Sequence, residues 1–389
     1  MTRKKPSILN KIYALEDLEV HAKKHLPKPV FGYVAGGAER NHTLRNNAED
    51  FANYKFVPNI LRNVSERSTK TEIFGRQWDA PFGISPMGVS ALAAYRGDII
   101  LADAAQKMNI PMVISGSSLI PMEEIIKLAP GTWFQAYLPG EHDKVENLVL
   151  RVKKAGFETL VLTVDVAVLA GRENNLRNGF STPLRPSFSL LYQGLTHPNW
   201  SMNTFLKTIF KHGMPHFENF LAERGEPVFS ASINRDFGKR SNLNWEHLKQ
   251  IRKLWDGNLI VKGILNKGDA LKAINLGADA IIISNHGGRQ LDSAISSIKA
   301  LENIRPYIKG DCKLFVDSGF RRGTDVIKAL ALGADFVFIG RPFLYAASIA
   351  GIAGVTHAIN LLKEEIDRDM ALLGVNEIDE LGHELLQKY

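Results

Sequence analysis

The chain has one cysteine, Cys312, in 389 residues. A single thiol closes no internal disulfide, so a disulfide-stapled framework is excluded. The sequence also has no Walker loop, no GxGxxG fingerprint, no HExxH and no CxxC. Nucleoside triphosphate, nicotinamide dinucleotide and bound metal therefore have no motif behind them. No apolar run is long enough to be expected to span a bilayer as a helix. The basic start, MTRKKPSILNKIYALEDLEV, has no long apolar segment behind it, so no signal peptide is expected. Acidic residues are missing from one long interval, Glu173 to Glu218.

What is present describes a globular protein with ample core: 45% hydrophobic and 23% charged residues. The net charge of +7 favours anions without naming them. Nucleic acid, acidic lipid and carboxylate substrates all remain open on charge alone.

From about Pro81 the chain alternates short β-branched runs with amphipathic helical patterns. The runs read as strands at Phe82–Ser85, Pro111–Ser115, Thr132–Tyr137, Thr159–Asp165, Leu259–Lys262, Ala280–Ser284, Lys313–Asp317 and Phe336–Gly340. Several are apolar on both faces, as parallel strands covered on both sides must be. Eight such units in order fit an α/β fold, a single closed (β/α)8 TIM barrel, better than an open doubly wound sheet. Leu-Gly-Ala-Asp occurs at 276–279 and again at 332–335, each time as helix end, turn and new strand. That repeat is structural and carries no chemistry.

Two segments stand outside the alternation, within what reads as one domain over 1–389. Residues 1–80 form an N-terminal helical extension with a hairpin around Phe74-Gly75-Arg76-Gln77. Residues 180–240 form an insertion after the fourth strand, leaving the barrel at 81–179 and 241–389. The acid-free interval carries Arg177, Arg185, Lys207 and Lys211 among Phe180, Phe188, Tyr192, Trp200, Phe205 and Phe210. Such a mixture suits an anionic membrane surface, met by residues 180–217. It equally suits a long loop over the barrel mouth with its apolar residues packed inward.

In a barrel, catalytic groups sit where strands end at the C-terminal face. The stretch Ser284-Asn285-His286-Gly287-Gly288-Arg289-Gln290-Leu291-Asp292 is the most informative of these. Its glycine pair lets the backbone pass close to something. A histidine takes up a proton near neutral pH, and an arginine holds a carboxylate in a bidentate geometry. Asp165, at another strand end, is available to orient His286. Lys262 ends a buried apolar strand, either as a rim lysine or as a cation beside a developing anion. Asp317-Ser318-Gly319-Phe320-Arg321 and Gly340-Arg341-Pro342 fall at the seventh and eighth strand ends, where barrels often hold phosphate. Arg172 is either a second carboxylate clamp or the surface partner of Glu173.

Together these pieces resemble the FMN-dependent L-2-hydroxy acid oxidases and dehydrogenases, which include lactate dehydrogenase, glycolate oxidase and mandelate dehydrogenase. The resemblance runs nearly end to end. It rests most on SNHGGRQLD at 284–292, with VKG at 261–263, DSGFRRG at 317–323 and GRP at 340–342. It implies FMN as cofactor, and His286 as the base, oriented by Asp165. Arg172 and Arg289, assisted by Tyr33, would hold the substrate carboxylate, and Tyr137 would meet the substrate hydroxyl. Lys262 would stabilise the reduced flavin. Pro86, Met87, Gly88, Ser115, Gln135, Thr163 and Ser284 would contact the ring or ribityl chain. Asp317, Gly319, Arg321, Gly340 and Arg341 would hold ribityl and phosphate. The implied partners are a small 2-hydroxy acid and a quinone or other acceptor, with no nucleic acid, in a homotetramer. The implied location is cytoplasmic, peripheral on the inner face of the membrane. Pro86-Met87-Gly88-Val89 resembles the dehydrogenases more than the glycolate oxidases, and Ser117 stands where some oxidases have a bulky aromatic. Lactate is the first substrate expected and mandelate the second.

Overall fold

The computed structural model describes residues 6–181, 187–228, 240–310 and 312–389. Eight parallel strands form the barrel: β1 (Phe82–Ile84), β2 (Val113–Ser115), β3 (Trp133–Ala136), β4 (Thr159–Thr163), β5 (Asn258–Ile264), β6 (Ala280–Ile283), β7 (Lys313–Asp317) and β8 (Phe336–Ile339). From β2 to β8 each pairs with its sequence neighbour, and β8 pairs with β1. Ile84 closes the ring, bridging Met112 and donating its N–H to Pro111 O at 2.9 Å. All eight expected strands are therefore present, in the expected order.

The strands are buried on both faces because two apolar layers sandwich them. Inside the barrel, Trp133, Phe315, Phe336 and Phe338 pack with Val161, Ile260 and Ile282. The hairpin Thr71–Ile73 and Arg76–Trp78 adds Ile73 and Trp78 to that inner cluster. Outside, helices cover the alternate residues. His142–Ala155, for example, buries Val145, Leu148, Val149 and Val152 on one stripe and ends at Gly156, whose φ is +92°.

The N-terminal extension is tied to the far end of the chain, a link the sequence did not suggest. Tyr54–Phe56 pairs antiparallel with Leu386–Lys388. The helix Leu15–His25 packs on the long final helix, Arg341–Leu373. That final helix has the length and composition of a membrane span, contrary to expectation, but 61% of its apolar window is buried in the fold. It also breaks at Ala350 and Gly351.

The Leu-Gly-Ala-Asp repeat proves to be one device used twice. Gly277 and Gly333 adopt φ of +89° and +91°. Asp279 accepts from Leu259 N at 2.7 Å, and Asp335 accepts from Leu314 N at 2.7 Å. Each carboxylate thus holds the start of the preceding strand at the lower rim, and each is met by an arginine, Arg252 or Arg305.

The insertion divides between its two readings. Phe180 and Trp200 are buried, and Trp200 Nε1 donates to Leu92 O at 2.8 Å. Phe205 is partly buried against the same core. Phe188 and Phe210 are 93% and 83% exposed, and Leu191, Tyr192 and Leu195 on the helix Phe188–Thr196 are exposed with them. Arg185 lies outside the described residues.

Candidate active site

The upper ends of the strands enclose a cavity of about 620 Å³. Of the residues singled out from sequence, Tyr33, Pro86, Met87, Gly88, Tyr137, Thr163, Arg172, Lys262, His286, Arg289, Asp317, Gly319, Arg321, Gly340 and Arg341 line it. Asp165 and Ser284 stand behind that wall and hold His286 and Lys262, while Ser115 and Gln135 hydrogen-bond to each other.

The loop after β6 places His286 at a cost in backbone strain. His286, Gly287 and Gly288 have φ of +59°, +65° and +72°. A Cβ at Gly288 would lie 2.5 Å from Leu44 N, so the second glycine is required by packing as well as by conformation. Side chains hold the strained turn. Ser284 Oγ accepts from His286 N at 3.0 Å, Ser318 Oγ from Gly287 N at 2.9 Å, and Asn285 Oδ1 from Gly288 N at 3.1 Å.

His286 Nδ1 lies 2.9 Å from Asp165 Oδ1, and its Nε2 lies 3.3 Å from the Tyr137 hydroxyl. Asp165 gets this close because β5 bulges at Gly263, where a Cβ would sit 2.7 Å from that of Asp165. Burial lowers the His286 pKa, and Lys262 and Arg172 add to this, while Asp165 opposes it. Burial would raise the Asp165 carboxyl, but His286 and Lys262 bring it below the ordinary range. The consistent arrangement is an ionised Asp165 accepting from Nδ1–H of a neutral imidazole, with the Nε2 lone pair toward Tyr137. Burial, then Asp165, pushes the Tyr137 phenol to about 12, so it remains a donor.

Lys262 Nζ donates to Ser284 Oγ at 2.6 Å and pairs with Asp317 Oδ2 at 3.0 Å. Burial works against its charge, but Asp317 and Asp165 raise its pKa. Lys262 is 4% exposed, so it is not a solvated rim lysine.

The arginines form the other half of the site. Arg172 does not pair with Glu173, which meets Arg177 instead. It turns inward and donates through Nε to Arg289 O at 3.0 Å and through Nη2 to Gln290 Oε1 at 2.6 Å. Arg289 stacks 4.8 Å from the Tyr33 ring centroid and anchors Nη1 on the carbonyls of Tyr33 and Gly36. Arg341 donates to the carbonyls of Val34, Gly36 and Gly287, and Arg321 to that of Phe320. Among the described residues, none of these four has a carboxylate partner. Burial, then the charge of Arg289, lowers Arg172 to about 10 and Arg341 to about 9. Such crowding is what an anion relieves.

A flavin mononucleotide fits these residues. Gln135 Nε2 and Thr163 Oγ1 are buried at the barrel end with no partner among the described residues, although buried polar groups are normally satisfied. Ser115 Oγ already donates to Gln135 Oε1 at 3.1 Å and so fixes the amide with Nε2 outward. A polar heteroaromatic ring would satisfy these groups. Arg321, with the start of the helix after Gly340, offers a place for the phosphate.

Sequence reasoning missed several participants. Phe180, grouped with the membrane aromatics, is buried and stacks on Tyr33 at 4.4 Å between centroids. Gln290 ties Arg172 to the Asp165 carbonyl, and Ser318 ties Asp317 to Gly287. The positions of Gln290 and Ser318, beside chemistry-bearing residues of two motifs, were the available signal. Arg240, which also lines the cavity, lies in the insertion and gave none.

Comparison with known proteins agrees with this geometry. The FMN-dependent dehydrogenase family model matches residues 22–388. An L-lactate dehydrogenase of Ectopseudomonas mendocina is 40% identical over 97% of this chain and 99% of its own length. The (S)-mandelate dehydrogenase of Pseudomonas putida is 38% identical over 97% and 94%. A crystal structure described as monotopic membrane protein (S)-mandelate dehydrogenase superposes with a TM-score of 0.87 at 37% identity, covering 97% of this chain and 99% of that one. The orphaned polar groups, the unpaired arginines and this full-length match have one common explanation: the chain belongs to the FMN-dependent dehydrogenases.

Proposed function

We propose that the protein oxidises an L-2-hydroxy acid to the 2-oxo acid, with L-lactate as first substrate, and passes the electrons to a quinone or another carrier. One observation carries this reading: His286, Tyr137, Arg172 and Arg289 line a single cavity, with Asp165 behind His286. Bound FMN would supply the two-electron acceptor. Thr163, Gln135 and Lys262 would hold its ring, and Asp317, Gly319, Arg321, Gly340 and Arg341 its ribityl and phosphate.

The chain's own residues then divide the work. Arg172 and Arg289 hold the substrate carboxylate and fix the orientation of C2. The Tyr137 hydroxyl donates to the substrate oxygen. His286 Nε2 takes the proton released during oxidation, and the imidazolium formed is stabilised by Asp165 through Nδ1–H. Lys262 places a fixed cation where negative charge accumulates.

A mandelate-type substrate is the second reading. Gly88 and Ser117 leave the cavity wall low, with a Cβ at Gly88 only 3.0 Å from that of Ser117. An oxidase using O2 is the third. Stopped-flow reduction of the holoenzyme by lactate, glycolate and mandelate, followed by an oxygen pulse, separates the three. The proposal expects fastest bleaching by lactate and slow reoxidation by oxygen. No bleaching by any of these acids would overturn it.

Membrane association belongs to the same reading. Phe188, Leu191, Tyr192, Leu195 and Phe210 are exposed in an interval with no acidic residue and with Lys207 and Lys211 nearby. They would enter the headgroup region of the inner face of the cytoplasmic membrane. A homotetramer is the expected assembly.

A further inference from the structure

The strained loop after β6 carries both His286 and Arg289, and the segment 38–47 of the N-terminal extension is bonded along it. Ala38 N donates to Gly288 O at 2.8 Å. Asp292 accepts from Arg40 N at 3.1 Å and from Thr43 N at 2.8 Å, so a loop carboxylate holds the start of the helix His42–Glu49. Thr43 Oγ1 accepts from Ala294 N at 2.9 Å. One turn further along that helix stands Asn47.

Asn47 and Asn285 exchange two side-chain hydrogen bonds. Asn47 Nδ2 donates to Asn285 Oδ1 at 2.8 Å, and Asn285 Nδ2 donates to Asn47 Oδ1 at 2.7 Å. Both residues are buried. Neither amide is free to turn over. Asn285 Oδ1 also accepts from Gly288 N at 3.1 Å, and its Nδ2 also donates to Ile295 O at 3.1 Å, so Asn47 must match ends already assigned. A buried reciprocal amide pair fixes one distance and one orientation, where an apolar contact would accept many. Asn47 also reaches the loop after β7, since a Cβ at Gly319 would collide with Asn47 O. It thus touches both the loop that carries the base and the loop assigned to ribityl and phosphate.

We propose that Asn47 is a positioning residue for the proton transfer: its amide pair with Asn285 sets the turn that aims His286 Nε2 at the substrate oxygen. This rests on the 2-hydroxy acid reading above. Asn47 acts through Asn285, which precedes His286 and holds Gly288 N.

The test is Asn47→Leu, which keeps the branched shape, loses both bonds and leaves Asn285 one partner at each end of its amide. The substrate is whichever of lactate, glycolate and mandelate reduces the wild-type holoenzyme fastest. Flavin reduction at saturating substrate should slow by at least about tenfold, since about 1 Å of misplacement costs on the order of 10²-fold. KM should stay within about threefold, because Arg289 is anchored separately on the carbonyls of Tyr33 and Gly36. Added to His286→Ala, the same change should slow reduction by less than about twofold, because no base is left to aim. A lower Tm with a wild-type saturating rate would reduce Asn47 to a structural role. A loss repeated in full in the His286→Ala background would mean that Asn47 acts elsewhere in the site. Either result overturns the proposal.

Hydrogen exchange of the wild-type holoenzyme needs no variant. The amides of Thr43, Gly288 and Ala294 should open together, as one cooperative unit. Loop amides that exchange freely while Thr43 N stays protected would overturn the proposal even if Asn47→Leu failed to fold. No reduction of the wild-type flavin by any of the three acids would instead overturn the hydroxy acid reading, and the exchange result would still decide whether the two segments move as one.

Discussion

The two ends of the barrel treat polar groups in opposite ways. At the lower rim, Asp279 and Asp335 each hold a strand-start N–H and each face an arginine. At the upper rim, Arg172 and Arg289 have only neutral partners, and Gln135 Nε2 and Thr163 Oγ1 have none among the described residues. These two carboxylates are satisfied within the chain, whereas the polar groups of the upper rim are left for ligands. Identical tetrapeptides built the first, whereas the second was assembled from different residues on eight separate strand ends. A repeated motif here marks structure, and unrepeated polar strand ends mark chemistry.

Substitutions at the two rims should therefore separate activity from stability. His286→Ala should leave FMN bound and slow flavin reduction by at least about 10²-fold, the lower range for a general base. Unchanged reduction would remove His286 from its role. Arg172→Met should weaken binding of the hydroxy acid by about 10-fold to 10²-fold, read as KM, because a charged hydrogen-bond donor is lost. A KM within twofold would show that the carboxylate lies elsewhere.

At the lower rim, Asp335→Ala should cost about 1–3 kcal/mol of stability by freeing Leu314 N, while kcat per folded enzyme stays near wild type. A large loss of kcat without a lower Tm would erase the contrast between the rims. The pH profile sharpens the contrast from the other side. Burial depresses the His286 pKa, so the neutral base persists below the ordinary imidazole value of 6.5. The acid limb of kcat/KM should therefore fall below that pH, with activity lost as pH drops through it. Asp165 raises the His286 pKa, so in Asp165→Asn the limb of the residual activity should move lower still. An acid limb above 6.5 would contradict this assignment.

The smallest effect expected on chemistry is in the insertion. Replacing Phe188, Leu195 and Phe210 with Ser should release the protein from anionic vesicles and leave flavin reduction unaltered. These point changes are cleaner than deleting the segment, because Trp200 within it is buried on Leu92. Retention on vesicles at low salt would rule out this face.

Much of this was legible in the sequence because barrel strands leave a local trace, an apolar run followed by a helical pattern. The strand-end residues inherited their positions from that trace, and His286 and Asp165 met as expected. What was not legible depends on contacts between distant segments. The pairing of Tyr54–Phe56 with Leu386–Lys388 has no local signature. Phe180 and Phe188 are alike in composition, yet one stacks on Tyr33 and the other faces outward. The inward turn of Arg172 depended on Gln290 and on the Arg289 carbonyl, both more than a hundred residues away.

A crystal structure of the holoenzyme with a bound 2-oxo acid tests the central claim most directly. The product's carboxylate should lie between Arg172 and Arg289, with its C2 oxygen within hydrogen-bonding reach of His286 Nε2 and the Tyr137 hydroxyl. A product bound away from the two guanidinium groups, or a His286 turned out of the shared cavity, would contradict it.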